Sequence, residues 1–421
     1  MLHPRSSGVA GLVLMLVALP VVAMDLQFAA MPDIARAMDA SVASVQGTLS
    51  VFAGVFGILQ LAYGPISDRL GRKRLIVGGM VLFGLASIGA VLADTIAMLT
   101  AMRVLQAIGA CAGPVLGRAV LRDIHGGQGA ARMLGYVMGM FGILAILGPF
   151  LGGVPVDAFD WRANFIGMAV FGFGAATLCW LLLPETRPES GTGDIGGTGE
   201  TGETGAGTNP RAHSRANPRA LVGTFAKLLG TRQTLVFVLT GGLMQGAFFA
   251  WLSGSSFIVM KVFGYSGTSY GLILPVTVAG FVGASFLAGR LAGRVAFHRV
   301  VIPGVLVGAT GALAGLALGL AGVDALWAVL APMVVVGLGH GTTLSQTAAG
   351  AMAPYPEHAG AASALAGFFQ YLGIMASTAL TGLVFDGTAL PILALIAGFA
   401  VTAALVYLTN ARAIARQMAA G

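Results

Sequence analysis

The sequence predicts an all-α integral membrane protein of twelve transmembrane helices, arranged as two pseudo-symmetric six-helix bundles. Of its 421 residues, 57% are hydrophobic and only 9% are charged, whereas soluble proteins carry roughly 25% charged residues. The charges lie in short clusters separated by apolar runs of about twenty residues, the length of a helix that crosses about 30 Å of hydrocarbon. This pattern excludes an ordinary soluble domain.

The apolar runs form two sets of six, divided by a polar tract. We expect an N-terminal bundle at 1–183, a cytoplasmic disordered linker at 184–232 and a C-terminal bundle at 233–421. The linker contains SGTGDIGGTGETGETGAGTNP, a composition that cannot bury apolar surface. The predicted spans cover approximately 9–31, 46–66, 75–93, 96–117, 133–154, 163–183, 234–258, 268–291, 300–320, 325–346, 360–384 and 390–409.

The distribution of lysine and arginine predicts the orientation. Of the 23 such residues, Arg36, Arg162 and Lys261 fall in connections on one side, and Arg103 falls within a span. All the others lie on the opposite side, and such an excess marks the cytoplasm. We therefore expect a multi-pass protein of the plasma (inner) membrane with both termini cytoplasmic, its first span retained rather than cleaved as a signal peptide. The net charge of +7 then requires no nucleic-acid partner.

The connection after the second span has an ordered pattern of glycine, aspartate and cations. Residues 64–74 read GPISDRLGRKR, in which Gly71 permits a tight turn and the arginines can bridge helix ends. The pattern resembles the signature loop of the major facilitator superfamily, and residues 289–294 resemble its degraded copy in the second half. The resemblance implies a transporter built from two related halves. It also implies a cytoplasmic gate formed by Gly64, Asp68, Arg69, Gly71, Arg72 and Arg122.

A glycine- and proline-rich pattern lies in the fifth predicted span. Residues 142–153 read GILAILGPFLGG. Such residues bend a helix and let its neighbours pack closely, so packing alone could explain them. The pattern nevertheless resembles the motif of the superfamily's antiporters, which implies exchange rather than import. The motif residues are Gly142, Gly148, Pro149, Gly152 and Gly153.

Two charged residues, Asp25 and Arg103, are predicted to lie within spans. A charge inside a membrane is costly unless it is partnered, so it commonly marks a functional site. The alternatives are that Asp25 lies at an interface and that Arg103 extends towards the nearer membrane surface. Residues 25–35 read DLQFAAMPDIA, which resembles the first-helix signature of the Bcr/CflA drug-resistance subfamily, here without its usual tyrosine and proline. We expect Asp25 and Arg103 to couple proton and substrate.

Other polar side chains within the predicted spans are candidates for lining the substrate path. Hydrogen bonding between helices is the alternative role, and the more common one. His340, flanked by glycines, is the one whose charge could change near physiological pH. The candidates are Gln27, Gln60, Gln106, Gln245, His340, Gln346 and Gln370.

Patterns typical of enzymes occur only in the wrong context. Residues 267–271 fit G-x-S-x-G but open a helix without a preceding strand. Residues 191–196 fit G-x-G-x-x-G but lie in the low-complexity linker. The histidines show no metal-ligand spacing, and no lysine follows a glycine as a Walker A site requires. We therefore expect no enzymatic activity, no cofactor and no metal site.

Uphill transport without an ATP site must use an ion gradient, and a protonatable Asp25 makes the proton the natural candidate. We predict a monomeric secondary active transporter that exports a small drug-like molecule in exchange for protons by alternating access. One alternative is a proton-coupled exporter of an endogenous metabolite such as a sugar, nucleoside or siderophore. The other is a membrane receptor or scaffold that transports nothing.

Overall fold

The computed structural model describes residues 7–184, 218–291 and 294–420, nearly all of them helical. A π-helical segment, Phe257–Val262, extends the seventh helix, and a short 3-10 turn, Pro356–His358, precedes the eleventh. The helices are α1 (Ser7–Ala37), α2 (Val42–Leu70), α3 (Arg72–Val91), α4 (Ile96–Ala158), α5 (Arg162–Leu182), α6 (Pro218–Leu229), α7 (Arg232–Ser256), α8 (Gly267–Leu291), α9 (Phe297–Leu320), α10 (Leu326–Met352), α11 (Ala359–Val384) and α12 (Leu390–Ala420).

Local sequence signals set several helix ends. The side chain of Ser41 accepts a hydrogen bond from the Ser44 amide and caps α2, and Thr95 caps α4 in the same way. Gly71 has a φ of 90° and forms the corner between α2 and α3, a conformation that favours glycine because it has no Cβ. The tight turn predicted at Gly71 is therefore confirmed.

The predicted membrane fold is confirmed. In the described part of the chain, eleven helical segments are long and apolar enough to cross a membrane, and a shorter apolar segment covers Ile146–Ala158. With the shorter segment counted, the number of segments matches the twelve predicted spans. Only one pair of predicted spans differs, because 96–117 and 133–154 both fall within the continuous helix α4.

Helix α4 must nevertheless reverse its direction. Gly113 packs against Leu16 of α1, and Gly148 packs against Asp25 of the same helix. A straight helix would separate Gly113 from Gly148 by about 52 Å, whereas Leu16 and Asp25 lie only about 14 Å apart along α1. We call Ile96–Leu121 the first arm of α4 and Ile146–Ala158 its second arm.

The helices pack as two groups, which we call the N-half (α1–α5) and the C-half (α7–α12). In the N-half, α1 packs against α4, and α3 packs against α4 and α5. In the C-half, α10 packs against α8 and α9, and α7 against α11 and α12. The halves meet mainly where α2 contacts α11 and where α4 contacts α8. A cavity along these contacts would therefore lie between the two halves, which is where the predicted transporter would bind its substrate.

Helix α6 corrects the prediction of a wholly disordered linker at 184–232. Its Leu228 is fully buried and packs with Ala362 and Leu365 of α11. The ammonium group of Lys227 lies 4.7 Å from the ring centroid of Tyr355. These contacts give α6 a partner in the C-half that composition does not reveal. Residues 185–217 of the predicted linker lie outside the described residues.

Candidate functional site

A cavity of about 190 Å³ lies between the two halves. Helix α1 and the second arm of α4 supply its N-half wall, and α7, α8, α10 and α11 supply its C-half wall. Most of the lining is apolar or aromatic. Its polar side chains are those of Asp25, Gln245, His340 and Gln370, with the tyrosine Tyr371 beside them. Four residues predicted from sequence therefore meet in one place, although they come from four different helices.

Among the described residues, Asp25 is the only acidic one that lines this cavity. It lies in the middle of α1, and 7% of its surface is exposed. Its carboxyl group makes no hydrogen bond or ion pair with any described residue. A buried carboxyl without a protein partner strongly favours binding a proton or a ligand group, because an unpaired charge is costly there.

The second arm of α4 makes room for this carboxyl group. A Cβ atom on Gly148 would lie 2.7 Å from Asp25 Oδ2, and one on Gly152 would lie 3.0 Å from the Cα of Leu26. The side-chain amide of Asn164 donates to the carbonyl oxygens of Leu26 and Gly152, at 2.7 and 3.0 Å. The glycines of the predicted antiporter motif therefore hold α4 directly against the helix that carries Asp25.

The same arm also contacts the C-half. Gly153 packs against the backbone of Gly267, and a Cβ atom on Gly271 would lie 2.7 Å from the Cα of Phe150. Pro149 lines the cavity. The motif thus lies at the boundary between the halves, except for Gly142, whose surroundings lie outside the described residues.

Arg103 does not line the cavity, and no ion pair joins it to Asp25. Its side chain is fully buried within the N-half. There its Nη1 donates to Gln106 Oε1 at 2.7 Å, and its guanidinium carbon lies 4.3 Å from the ring centroid of Phe52. Gln106 in turn donates to Ser87 Oγ at 2.7 Å. The Nε and Nη2 atoms of Arg103 have no described acceptor. Arg103 and Gln106 therefore form a separate buried polar cluster.

His340 lies between two aromatic rings. The ring centroid of Phe248 is 5.0 Å away and that of Phe281 is 5.1 Å away, both stacked on the imidazole. The Nδ1 atom of His340 is buried and has no described hydrogen-bond partner. The histidine therefore belongs to an aromatic wall that faces Asp25 across the cavity.

The remaining glutamine candidates lie elsewhere. Gln27 donates to Thr48 Oγ1 at 2.6 Å, and Gln346 donates to the carbonyl of Ala288 at 3.2 Å. Gln60 is buried against Gly367. None of the three lines the cavity. The hydrogen bonds of Gln27 and Gln346 to neighbouring helices match the alternative role given to such residues.

The structure describes part of the predicted cytoplasmic gate. Arg72 forms an ion pair with Asp123, two residues beyond the first arm of α4, so the loop is tied to its own half. A Cβ atom on Gly64 would meet nothing within 4 Å. The side chains of Asp68, Arg69 and Arg122 lie outside the described residues.

Sequence reasoning missed the aromatic lining and one neighbouring hydroxyl group. Phe248, Phe249 and Phe281 line the cavity, but aromatic residues are common in spans, and nothing in the sequence distinguishes those that face a cavity. Tyr270 lies close enough to Asp25 for an electrostatic interaction. Its hydroxyl lies 3.1 Å from Ser255 Oγ. Tyr270 belongs to residues 267–271, and their G-x-S-x-G pattern does not indicate that this tyrosine lies near Asp25.

Known proteins resemble the chain over most of its length. The model of the Major Facilitator Superfamily matches residues 12–378. The chain is 30% identical over 380 residues to Multidrug resistance protein D of Escherichia coli (strain K12), covering 89% of this chain and 88% of that protein. It is 27% identical over 352 residues to a chloramphenicol resistance protein of Pseudomonas aeruginosa, covering 81% and 76%.

A solved structure shares the fold. A bacterial homologue of the human lysosomal transporter Spinster, in an inward-facing and unoccupied conformation, superposes with a TM-score of 0.72 at 16% identity. The match covers 99% of this chain and 98% of that one. The likeness extends over both halves.

Proposed function

The chain belongs to the major facilitator superfamily, and we propose that it exports a small, largely apolar molecule in exchange for protons by alternating access. It is a multi-pass membrane transporter, and its relatives confirm the resemblance to bicyclomycin and chloramphenicol resistance proteins. The proposal concerns the substrate, the coupling ion and the residues that carry them.

The observation that carries the proposal is the carboxyl group of Asp25, which lies in the cavity between the halves and has no hydrogen-bond or ion-pair partner among the described residues. The ionised carboxylate binds a cationic or hydrogen-bond-donating group of the substrate more tightly than the protonated carboxyl does, so proton and substrate compete at this group. Substrate that enters from the cytoplasm then favours proton release, and protonation from outside favours substrate release. Competition at this one group is sufficient for antiport, since each ligand can shift the equilibrium between the two open states.

The cavity lining supports a neutral or singly cationic substrate. Its described lining residues include one acid and neither a lysine nor an arginine, so an anion would find no fixed positive charge among them. Aromatic faces attract cations and pack well against flat apolar molecules. The volume of about 190 Å³ is below the roughly 300–1,000 Å³ of drug-sized sites. We infer that the cavity is contracted in this conformation. The names of the relatives favour drug-like compounds.

The other predicted sites have supporting roles in this proposal. Arg103 and Gln106 stabilise the interior of the N-half rather than contact substrate. The loop at 64–74 closes the cytoplasmic side, where the ion pair of Arg72 with Asp123 anchors it. The protein lies in the inner membrane with both termini on the cytoplasmic side. A single chain is sufficient to transport the substrate, since both walls of the cavity come from one chain.

Inverted membrane vesicles with an imposed pH gradient test the proposal. A panel of neutral, cationic and anionic compounds, including chloramphenicol and a fluorescent lipophilic cation, would be screened for gradient-dependent uptake with simultaneous recording of proton movement. Asp25→Asn should abolish pH-driven uptake while the protein still inserts. The matched control is Asp33→Asn on the same helix, because Asp33 pairs with Arg36 and does not line the cavity. Gradient-driven uptake by Asp25→Asn at the wild-type rate would refute the proposal.

A further inference from the structure

Two backbone amides at the start of α8 are bound by a carboxylate from the other half of the protein. Asp157, at the end of the second arm of α4, accepts hydrogen bonds from the amides of Gly267 and Thr268, at 2.9 and 2.6 Å. The amide of the next residue, Ser269, is bound within the C-half by Ser266 Oγ at 3.2 Å. The first amides of a helix have no partner inside that helix. Part of the cap of α8 is therefore supplied by the N-half.

Two further N-half side chains bind backbone atoms of the C-half. The side-chain amide of Gln46 donates to the carbonyl of Ser253 at 2.8 Å, and the hydroxyl of Ser50 donates to the carbonyl of Met375 at 2.9 Å. Both donors lie in the outer half of α2, with Gln46 closer to its start than Ser50. All three contacts thus join a side chain of one half to the backbone of the other.

These contacts share one end of the molecule. Asp157 ends the second arm of α4, Gly267 begins α8, and Gln46 lies close to the start of α2. In the predicted orientation these helix ends all face outside. Near the opposite, cytoplasmic end of α2, a Cβ atom on Gly64 would meet no described atom within 4 Å.

We propose that Asp157, Gln46 and Ser50 form a latch that holds the outer end of the transport path closed, with Asp157 as its principal residue. The inference rests on the proposed alternating access and adds the contacts that hold one of its two states. When the halves separate at the outer end, the two α8 amides lose their carboxylate and two backbone carbonyls lose their donors. An anion at a helix N-terminus is stabilising. The closed state is therefore favoured, and opening must be driven by ligand exchange at Asp25.

Thiol labelling of a buried residue at the boundary measures this equilibrium without substrate or a pH gradient. Ser256 is fully buried, and its Oγ lies 4.0 Å from Met31 Sδ of the other half. Ser256→Cys, with Cys111 and Cys179 replaced by Ala, would react with a membrane-impermeant maleimide added outside only when the outer end opens. In this background Asp157→Ala should raise the labelling rate about tenfold, equivalent to about 1.4 kcal/mol, within the range for loss of a helix cap. Gln46→Ala should also raise it.

Two variants separate the latch from general loosening. Asp157→Asn should raise the labelling rate less than Asp157→Ala does, because asparagine keeps one acceptor oxygen for the two α8 amides whereas aspartate supplies one for each. Asp386→Ala is the matched control. The Asp386 carboxylate accepts hydrogen bonds from the hydroxyl and the amide of Thr388 in its own loop, and these bonds lower its pKa. Because Asp386 has these partners in its own loop, its replacement by alanine should leave the labelling rate unchanged. Unchanged labelling in Asp157→Ala, or an equal rise in Asp386→Ala, would overturn the latch. A protein that labels as predicted but lacks pH-driven efflux would instead refute the proposed function.

Discussion

Gly148→Ala tests whether close contact between α4 and α1 is needed at Asp25. The added Cβ atom would lie 2.7 Å from Asp25 Oδ2 and 2.9 Å from Asp25 Cβ. The carboxyl group could rotate away, but the Cβ atom moves only with the backbone of α1. Its separation falls about 0.5 Å short of ordinary van der Waals contact, so the two helices must move apart. Overpacking of this kind costs roughly 1–3 kcal/mol.

We expect this variant to unfold at a lower temperature in detergent and to lose most of its pH-driven efflux, because its Asp25 is displaced from the cavity. Thermal unfolding of the purified protein and uptake into inverted vesicles measure the two effects. Gly174→Ala in α5 is the matched control, since a Cβ atom there meets nothing within 4 Å. If Gly148→Ala matched Gly174→Ala in both assays, the close packing of α4 against Asp25 would be irrelevant to stability and transport.

Three further predictions concern other parts of the protein. His340→Phe should retain pH-driven efflux, since a third ring can replace the imidazole between its two aromatic neighbours; loss of pH dependence in vesicles would make His340 the coupling group. Gln106→Leu removes the acceptor of Arg103 Nη1 and should lower the free energy of unfolding by about 1–3 kcal/mol; an unchanged thermal midpoint would contradict the structural role of the buried cluster. Reporter fusions at Gly205 and the C-terminus should both report the cytoplasm, and one at Asp324 the outside; opposite signals from the first two would exclude the even number of spans that we predict after Gly205.

The membrane fold could be predicted from the sequence because its signal is composition over long segments. Twenty apolar residues between charged clusters have few alternatives to a membrane-spanning helix. The details that failed depend on tertiary contacts. Nothing in residues 218–229 indicates that Leu228 packs against α11, so the sequence did not predict α6 within the linker. The continuous backbone of α4 likewise joins two spans that hydropathy separates.

The sequence predicted residues of the candidate site only where a polar or charged side chain differs from the apolar residues around it. Asp25 could be found because a carboxyl group in an apolar run is costly, and Gln245, His340 and Gln370 because polar side chains are few there. The sequence could not separate these from Gln27 or Gln346, since a hydrogen bond to another helix and a place in the cavity look identical along one chain. A charged Arg103 is also costly to bury in the membrane, but it donates a hydrogen bond to Gln106, one helical turn away, which offsets part of this cost.

Proton release during substrate binding tests the central claim most directly. The compound that gives the strongest signal in the vesicle screen would be added to purified protein in weakly buffered detergent solution containing a pH indicator. We predict that wild-type protein releases protons as it binds the compound, whereas Asp25→Asn binds the compound and releases none. Binding by the wild type without proton release, or undiminished release by Asp25→Asn, would contradict competition between proton and substrate at Asp25.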